Sequence, residues 1–205
     1  METLSKLFGS ADRVKIMKLF LSNDDQVFDN GEISGRAKVK PIIARKELAL
    51  LNKIGFIKKK TCYKEVDKKS GNKIKTEKVK TNGWILDANF SLTAPLKNLL
   101  IKSSPLKSKE VIERLKNGGV LKLVITAGVF IQDSDSRADI LIVGDNLNNS
   151  YLEKAIHILE SEIGKELRYV ILDTPDFKYR LGVYDKLLKD ILDFSHKKLI
   201  NRLDL

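Results

Sequence analysis

Residues 119–145 read GVLKLVITAGVFIQDSDSRADILIVGD, and this stretch decides the fold of the second half of the chain. Two short runs made largely of Val, Ile and Leu, at 120–127 and 138–143, stand on either side of a polar crossing that contains one Gly, two Asp and two Ser. Apolar runs that do not alternate with polar residues are typical of strands covered on both faces in an α/β sheet. We therefore expect two buried strands here, the second of which contains an acid, Asp139.

Helical spacing surrounds these strands on both sides. In chain order we expect helices at 107–117 and 148–164, a strand at 167–172, a helix that starts at Thr174-Pro175-Asp176, and helices at 183–193 and 196–203. Thr174 supplies a capping hydroxyl, and Pro175 suits the first helical turn. Residues 107–205 are thus predicted to form one α/β domain.

The first ninety residues predict three helices followed by a long hairpin. The expected elements are a helix to about Asn23 with Ser10 or Asp12 as its N-cap, a helix at 31–37 capped by Asn30, a helix at 41–53, and strands at 56–66 and 74–86. Pro41 stands at the first turn of the third helix, where proline is tolerated, and Gly55 closes that helix. The residues of the third helix that are expected to face inward are Ile43, Leu48, Leu51 and Ile54.

The positive charge is concentrated in the first half. The 205 residues have a net charge of +11. Residues 1–90 contain 20 Lys and Arg against 11 Asp and Glu, whereas residues 91–205 contain 18 against 16. Residues 53–80 alone contain 11 basic and three acidic residues. A strongly basic half beside a nearly neutral one indicates that the first half meets a polyanion and that the second half has another role.

Composition excludes several classes of protein. No window approaches eighteen uncharged apolar residues, and the first residues lack the apolar run of a signal peptide, so we expect a cytoplasmic protein. The single cysteine, Cys62, cannot form an internal disulfide, and with only two His residues the chain offers no zinc cluster. We predict neither a cofactor nor a bound metal.

A change of composition marks the boundary between the two halves. We expect an N-terminal domain at 1–90, a connector at 91–106 and a C-terminal domain at 107–205. The connector carries leucines at helical spacing on both sides of Pro95, namely Leu92, Leu96, Leu99 and Leu100. Such spacing is consistent with packing on a neighbouring domain or with a dimer seam, and we expect core packing.

The N-terminal element order is that of a winged helix-turn-helix. The segment LFGSADRVKIMKLFLSN at 7–23, the helix led by Pro41, and LLNKIGFIKKK at 50–60 resemble the winged helix of ArsR-like bacterial regulators, and the resemblance covers about residues 4–86. It implies that the third helix enters the major groove of duplex DNA while the hairpin lies along the adjacent phosphates. The hairpin at 67–78 is longer and more basic than is usual in that family, which favours contact with the DNA backbone over fine sequence readout.

The resemblance assigns candidate DNA contacts to two elements. They are Lys38, Lys40, Arg45 and Lys46 around the third helix, and Lys58, Lys59, Lys60, Lys69, Lys73 and Lys75 on the hairpin. A second interpretation of the lysine run is a solvated strand face whose charges keep an exposed edge from aggregating. The position of the run after a helix-turn-helix pattern favours nucleic-acid contact. Trp84, the only tryptophan, is expected in the core.

The C-terminal element order resembles the small nucleotidyltransferases of the DNA polymerase beta superfamily, over about residues 107–200. In that family a Gly-Ser turn after the first strand holds the phosphates of the nucleotide, and Asp-x-Asp on the second strand holds Mg²⁺. This chain has Gly-Val at 128–129 and Ser-Arg-Ala-Asp at 136–139. The resemblance therefore matches Gly128 and Asp139, as vestiges of a site.

A cation at the first position of the acidic motif decides the expected chemistry. Arg137 stands where Mg²⁺ needs an anion, and one carboxylate supplies octahedral oxygen coordination poorly. We therefore predict a domain that keeps the fold and has lost the activity, with Arg137 paired to Asp139. Asp133 or Asp135 could supply a second carboxylate, but both lie on the crossing rather than on a strand, and precise sites are built on rigid elements.

Three functions follow from these patterns. The first is a DNA-binding transcriptional regulator that works as a homodimer on two-fold half-sites, with an inactive C-terminal domain used for dimerisation or for sensing a partner or ligand. The alternative is an active Mg-dependent nucleotidyltransferase with a winged-helix docking module. The third is an RNA-binding adaptor, since a basic hairpin does not by itself distinguish duplex DNA from structured RNA.

Overall fold

A computed structural model of the chain describes residues 2–70, 73–102, 106–133 and 135–203. For residues 2, 64–70 and 73–77 it describes the backbone alone. The chain divides into two compact units, Met1–Ser103 and Ser104–Leu205, and each contains a sheet of its own. The fold is mixed, α+β overall, as the sequence predicts.

Helices form the first part of the N-terminal unit: α1 (Glu2–Phe8), α2 (Ala11–Ser22), α3 (Asn30–Ala37) and α4 (Pro41–Lys53). Of the two predicted candidates, Ser10 and Asp12, it is Ser10 that caps α2, because its hydroxyl accepts a hydrogen bond from the Arg13 N–H at 3.1 Å. Asn30 does not cap α3. Asp29 does, in a reciprocal capping box with Glu32, which satisfies two backbone donors at once.

A long antiparallel hairpin of β1 (Ile57–Ser70) and β2 (Lys73–Leu86) follows the helices. Pairing continues to Ser70 and Lys73, so both strands extend into the residues predicted to form the turn. Phe28 makes an isolated antiparallel bridge to Trp84 at the base of the hairpin. Phe28 is fully buried, and Trp84 packs on the same core while half-buried.

Most of the segment predicted as a connector, 91–106, belongs to the N-terminal unit, which ends at Ser103. α5 (Thr93–Lys97) and a π-helical turn (Asn98–Lys102) follow the hairpin. Leu100 is fully buried in the core of this unit, and Leu96 packs against it. Leu92 and Leu99 are exposed, so core packing, as expected from the sequence, holds for only two of the four leucines.

The C-terminal unit is built on a four-stranded sheet with the order β5-β4-β3-β6. Its strands are β3 (Val120–Thr126), β4 (Ile140–Asp145), β5 (Tyr169–Asp173) and β6 (Lys197–Asn201). β4 runs antiparallel to β3 and parallel to β5, and β6 runs antiparallel to β3. Most of β3 and nearly all of β4 are buried, which confirms the prediction of strands covered on both faces.

Helices cover both faces of this sheet. They are α6 (Ser108–Leu115), α7 (Asn149–Ile163), α8 (Thr174–Gly182) and α9 (Lys186–Asp193). One cluster of buried side chains joins α6 and α7 to the sheet, and a second cluster joins α8 and α9 to it. Alternate residues of β3 and β4 contribute to the two clusters, because successive side chains of a strand point to opposite faces.

The sequence misplaces three features of the C-terminal unit. Residues 196–203 were expected to form a helix, but they contain the strand β6, because pairing with β3 overrides a weak local helical pattern. Asp173, rather than Thr174, caps α8 by accepting a hydrogen bond from the Asp176 N–H at 2.7 Å. The helix expected at 183–193 begins only at Lys186.

Among the described residues, no helix combines the length and the apolar character needed to cross a membrane.

Candidate functional site

The cations predicted around the third helix lie on an exposed surface at the start of α4. The buried residues of α4 are Ala44, Glu47, Leu48 and Leu51, so the opposite face of the helix is exposed. Lys40, Arg45 and Lys46 are exposed, as is Lys38, which ends α3 in the left-handed backbone region with φ 52°. We call Lys38, Lys40, Arg45 and Lys46 the α4 cations.

Two residues predicted to face inward, one on α4 and one at its C-terminal end, are exposed instead. Ile43 is 36% exposed and Ile54 is 53% exposed. The buried stripe runs through Ala44, Leu48 and Leu51, at the i, i+4 and i+7 spacing of one helix face, so Ile43 and Ile54 lie beside this stripe. The exposed face of α4 therefore carries apolar side chains as well as cations.

The start of α4 adds positive potential to that of the α4 cations. Pro41 occupies the first turn, as predicted, and the helix begins with neither a side-chain cap nor an acidic residue in its first turn. The first backbone N–H groups of a helix and the positive end of its dipole favour anions such as phosphate oxygens. The α4 cations and the start of the helix thus both favour a negatively charged ligand.

A buried ion pair holds α4 against α2. The Arg13 Nε atom lies 2.7 Å from Glu47 Oε2, and Glu47 is only 6% exposed. The Arg13 Nη1 atom also donates to the Phe8 carbonyl oxygen at 2.7 Å. Because a buried charge is costly without a partner, this arrangement fixes the position of α4.

Lys58, at the base of the hairpin, has an acidic partner within the chain. Its Nζ atom lies 3.0 Å from Asp87 Oδ1. A hydrogen bond from the Asn89 N–H, together with the Lys58 ammonium, holds the pKa of the Asp87 carboxyl below its usual value. Asp87 was not singled out in the sequence, because it lies 29 residues from Lys58 and no local pattern joins the two.

Lys59, the next lysine of the hairpin, contacts an aromatic ring within the chain. The Lys59 Nζ atom lies 5.7 Å from the centre of the Trp84 ring, within the range of a cation–π interaction. The Trp84 indole N–H donates to Asn30 Oδ1 at 2.9 Å. Lys58 and Lys59 therefore help to stabilise the base of the hairpin. Lys60, the third predicted contact in this run of lysines, is exposed.

The register of the hairpin sorts its lysines by face. The side chains of Lys69, Lys73 and Lys75 lie outside the described residues, but their backbones pair with Ile74, Ser70 and Lys68 respectively. Cross-strand partners share a face of a sheet, and neighbours along a strand alternate. One face, here the lysine face, holds positions Lys58, Lys60, Lys64, Lys68, Lys73, Lys75 and Glu77. The other, the mixed face, holds Lys59, Lys69, Lys78, Lys80, Glu65 and Asp67.

The two faces differ in charge. The lysine face has six lysines against one acid, and the mixed face has four lysines against two acids. On the mixed face the backbone of Glu65 pairs with that of Lys78. The positions of the lysine face therefore carry the higher density of positive charge.

Asp139 is the candidate site residue that the sequence singles out in the C-terminal unit, and both oxygens of its carboxylate accept hydrogen bonds. It is 1% exposed and lies immediately before β4. Oδ1 accepts hydrogen bonds from the Val129 N–H at 2.9 Å and from Arg168 Nη2 at 3.2 Å. Oδ2 accepts from the Arg168 N–H at 2.8 Å and from Arg168 Nε at 3.1 Å.

The ion pair predicted between Arg137 and Asp139 is wrong. The Arg137 side chain is 62% exposed and its Nε lies 3.4 Å from Asp190 Oδ2. Arg168, which the sequence did not single out, takes the place of Arg137 as the partner of Asp139. Residues 139 and 168 are brought together by the parallel pairing of β4 with β5, and a partner 29 residues away leaves no local signal.

The environment of Asp139 favours its charged form. Burial raises the pKa of this carboxyl, but the hydrogen bonds from the Arg168 side chain and from the backbone N–H groups of Arg168 and Val129 outweigh burial, so the pKa lies below its usual value. The hydrogen bond to Asp139 in turn raises the pKa of the Arg168 guanidinium. The pair is thus ionised at neutral pH.

Gly128 is required where it stands. Its φ of 52° is in the left-handed region, and a Cβ atom at this position would overlap Asp139 Oδ1. The glycine matched to the Gly-Ser turn therefore lets the chain approach the carboxylate closely enough for Val129 to donate to it. Its role is in packing around Asp139.

The acids of the crossing do not complete a metal site among the described residues. Asp133 Oδ1 accepts a hydrogen bond from the Asp135 N–H at 2.9 Å. Outside the gaps at 71–72, 103–105 and 134 and the chain ends, no group of three or more His, Cys, Asp or Glu residues could hold a metal ion. The arrangement at Asp139 can hold two strands and a turn together.

An open cavity of about 410 Å³ lies elsewhere in the C-terminal unit. It is lined mainly by apolar side chains, including Val111, Phe130 and Leu199, together with Lys107 and Lys197. This volume and lining are in the range of pockets that hold small molecules.

Comparison of the chain with family models, with curated proteins and with solved structures finds no match.

Proposed function

We propose that the chain is a DNA-binding transcriptional regulator, with a winged helix-turn-helix as its N-terminal unit and an inactive nucleotidyltransferase-like domain as its C-terminal unit. The observation that carries the proposal is the exposed, cationic start of α4 within the unit that also carries the lysine-rich hairpin. Phosphate contacts from such cations supply most of the affinity of DNA-binding proteins, and base contacts from the helix supply the specificity.

The order of elements in the N-terminal unit supports a winged helix. The helix α2 is followed by the bridge residue Phe28, the helices α3 and α4, and the hairpin. The bridge from Phe28 to β2 joins the segment between α2 and α3 to the base of the hairpin. In this reading α3 and α4 form the helix-turn-helix and the hairpin is the wing.

Duplex DNA fits the exposed face of α4 better than structured RNA does. An α-helix with its side chains is about 10–12 Å across, and the major groove of B-form DNA is about 12 Å wide. The major groove of A-form RNA is too deep and narrow for side chains to read. A helix that offers both cations and exposed apolar side chains therefore matches the groove of DNA.

The closed carboxylate of Asp139 supports the proposal that the C-terminal unit is inactive. Both oxygens accept hydrogen bonds from Val129 and Arg168, so a metal ion would have to displace an ion pair. The unit is then used for dimerisation or for sensing a partner or ligand, and the cavity beside Val111 is a place for a small ligand. Two copies on a palindromic site are the expected stoichiometry, because closed two-fold dimers match two-fold half-sites.

The test begins with selection of bound fragments from random duplex DNA, with a structured RNA pool run in parallel. The full chain is then compared with the variant Lys40→Gln/Arg45→Gln/Lys46→Gln. A control variant, Lys154→Gln/Lys165→Gln/Lys178→Gln, removes the same charge from exposed positions of the C-terminal unit. We expect the first variant to lose at least tenfold in affinity for the selected duplex and the control to change by less than threefold.

Two results would overturn the proposal. Enrichment from the RNA pool alone would favour the RNA-binding adaptor. Transfer of a labelled nucleotide in the presence of ATP, GTP, CTP or UTP and Mg²⁺, abolished by Asp139→Asn at a temperature where that variant is still folded by circular dichroism, would show an active nucleotidyltransferase. A palindromic duplex motif with no transfer is the expected outcome.

A further inference from the structure

Ile42 is the most exposed large apolar side chain on α4, with 81% of its surface accessible. It is the second residue of the helix, directly after Pro41. Leu51 follows nine residues later, which is two and a half helical turns, and it is fully buried. Ile42 therefore lies on the side of α4 opposite the core, at the end where the α4 cations lie.

The neighbours of Ile42 define what can cover it. Lys40 precedes the helix, and Arg45 and Lys46 follow at i+3 and i+4, one turn further along the exposed face. A partner that pairs with these cations must bring an apolar group to Ile42 at the same time. A purely polar polyanion would leave the isoleucine against charged groups, and an apolar surface would leave the cations without partners.

Duplex DNA combines both features in its major groove. The phosphates lie along the rims of the groove, and the C5-methyl group of thymine is the apolar group presented on its floor. In a helix-turn-helix, the N-terminal residues of the recognition helix are those that contact base edges. Ile42 occupies that position in α4.

We propose that Ile42 packs against the C5-methyl group of a thymine and so sets a preference for T at one position of each half-site. This inference rests on the proposed function, because it takes α4 as the helix that enters the major groove. The cations hold α4 in the groove through the phosphates, which are the same for every sequence. Ile42 reads the sequence through a methyl group that cytosine and uracil lack.

The magnitude of the effect follows from the burial of one methyl group. Removing one buried methyl from such a contact weakens binding by about fourfold. The loss is confined to one base pair in each half-site, whereas the loss of a phosphate contact weakens binding to all sequences alike.

The experiment replaces each thymine of the selected duplex, one at a time, by deoxyuridine. This substitution removes the C5-methyl group and leaves the base pairing and the hydrogen-bonding groups in place. We expect the full chain to lose about fourfold in affinity at one thymine of each half-site and little at the others. The variant Ile42→Ala should bind the thymine duplex more weakly than the unsubstituted chain and should no longer distinguish thymine from deoxyuridine at that position.

A matched control comes from the other end of the same helix region. Ile54→Ala removes the same atoms from a side chain that is 53% exposed, twelve residues after Ile42 and past the end of α4. It should keep the full sensitivity to deoxyuridine. Because Ile42 makes little contact with the core, Ile42→Ala should unfold at the same urea concentration as the unsubstituted chain, which separates a lost contact from a lost fold.

The outcomes separate the inference from the function on which it rests. If the chain binds the selected duplex but deoxyuridine has no effect at any position, or if Ile42→Ala keeps the original sensitivity, the thymine contact is overturned and DNA binding stands. If the chain binds no duplex DNA, the proposed function fails, and the inference fails with it. Loss of methyl sensitivity in Ile42→Ala alone supports the contact.

Discussion

The backbones of Phe28 and Trp84 exchange two hydrogen bonds, of 3.0 and 2.8 Å, across an isolated bridge. This bridge ties the base of the hairpin to the segment between α2 and α3. Gly83 lies beside it in β2, opposite Lys60, and the close approach of the two chain segments depends on the absence of a side chain there. The placement of the hairpin is therefore open to a simple test.

The substitution Gly83→Ala should destabilise the N-terminal unit. A Cβ atom at this position would lie 2.6 Å from Val27 Cγ1 and 2.8 Å from the Phe28 carbonyl oxygen, so the bridge must shift. We expect the free energy of unfolding to fall by about 1–3 kcal/mol, as in other overpacked sites. Urea unfolding followed by the fluorescence of Trp84, the only tryptophan, reports this unit directly.

Gly35→Ala is the control for that substitution. Gly35 lies within α3, and a Cβ atom there would meet nothing within 4 Å. Because alanine is the better helix former, the free energy of unfolding should rise by about 0.5–1 kcal/mol. Equal destabilisation by the two substitutions would contradict the role given to Gly83.

Asp139→Asn should destabilise the C-terminal unit. The substitution removes a buried charge that accepts hydrogen bonds from Arg168 and Val129, and it places an amide N–H₂ group against donors. We expect a loss of about 2–4 kcal/mol in the free energy of unfolding. Asp190→Asn breaks the more exposed pair with Arg137 and should cost less than about 1 kcal/mol. Thermal unfolding followed by circular dichroism compares the two, and a larger loss in Asp190→Asn would refute the assignment.

The contribution of Asp139 should depend on pH in one direction. The folded pKa lies below the unfolded value of about 3.9, so the stabilisation is fully present above that value and is lost as the pH falls through the folded pKa. The difference in unfolding free energy between the unsubstituted chain and Asp139→Asn should therefore be constant between about pH 5 and 7 and shrink below about pH 4. Urea titrations over this range measure it. A difference that grows on acidification would mean that the folded pKa is raised.

The two faces of the hairpin should contribute unequally to DNA binding. Lys60→Gln/Lys75→Gln removes two charges from the lysine face, and Lys78→Gln/Lys80→Gln removes two from the mixed face. We expect the first pair to weaken binding by about tenfold and to lower the slope of log K against log salt by up to about two, because each lost phosphate contact removes about 0.9 from that slope. The second pair should weaken binding by less than threefold. Filter binding at several salt concentrations gives both the affinity and the salt slope. Equal losses of affinity in the two variants would show that the two faces of the hairpin contribute equally to binding.

Local signals in the sequence predicted the elements that depend on local chemistry. Ser10 caps α2, Pro41 begins α4, and Gly55 follows the end of α4 with φ 79°, each because of its own backbone preference. The capping box at Asp29 was within reach of the same reasoning, since Glu32 stands three residues later. The continuous apolar runs likewise predicted the buried strands β3 and β4.

Contacts between residues far apart in the chain could not be predicted from the sequence. Arg168 and Asp139 are joined only when β5 lies parallel to β4, and the strand β6 forms only because the edge of β3 is there to pair with it. The exposure of Ile42 depends on the phase of α4 against the core, which the apolar pattern of that helix left open because Ile42 and Ile43 are equally apolar. Tertiary pairing and helix phase, rather than propensity, decided these features.

The four hydrogen bonds on Asp139 also limit what a single substitution can do at this carboxylate. Replacing Arg137 by aspartate would place a second acid two residues before Asp139, yet both oxygens of Asp139 would still accept hydrogen bonds from Arg168 and Val129. Removing Arg168 instead would leave a buried carboxylate short of donors and would lower stability. One substitution therefore cannot free this carboxylate for a ligand without a loss of stability.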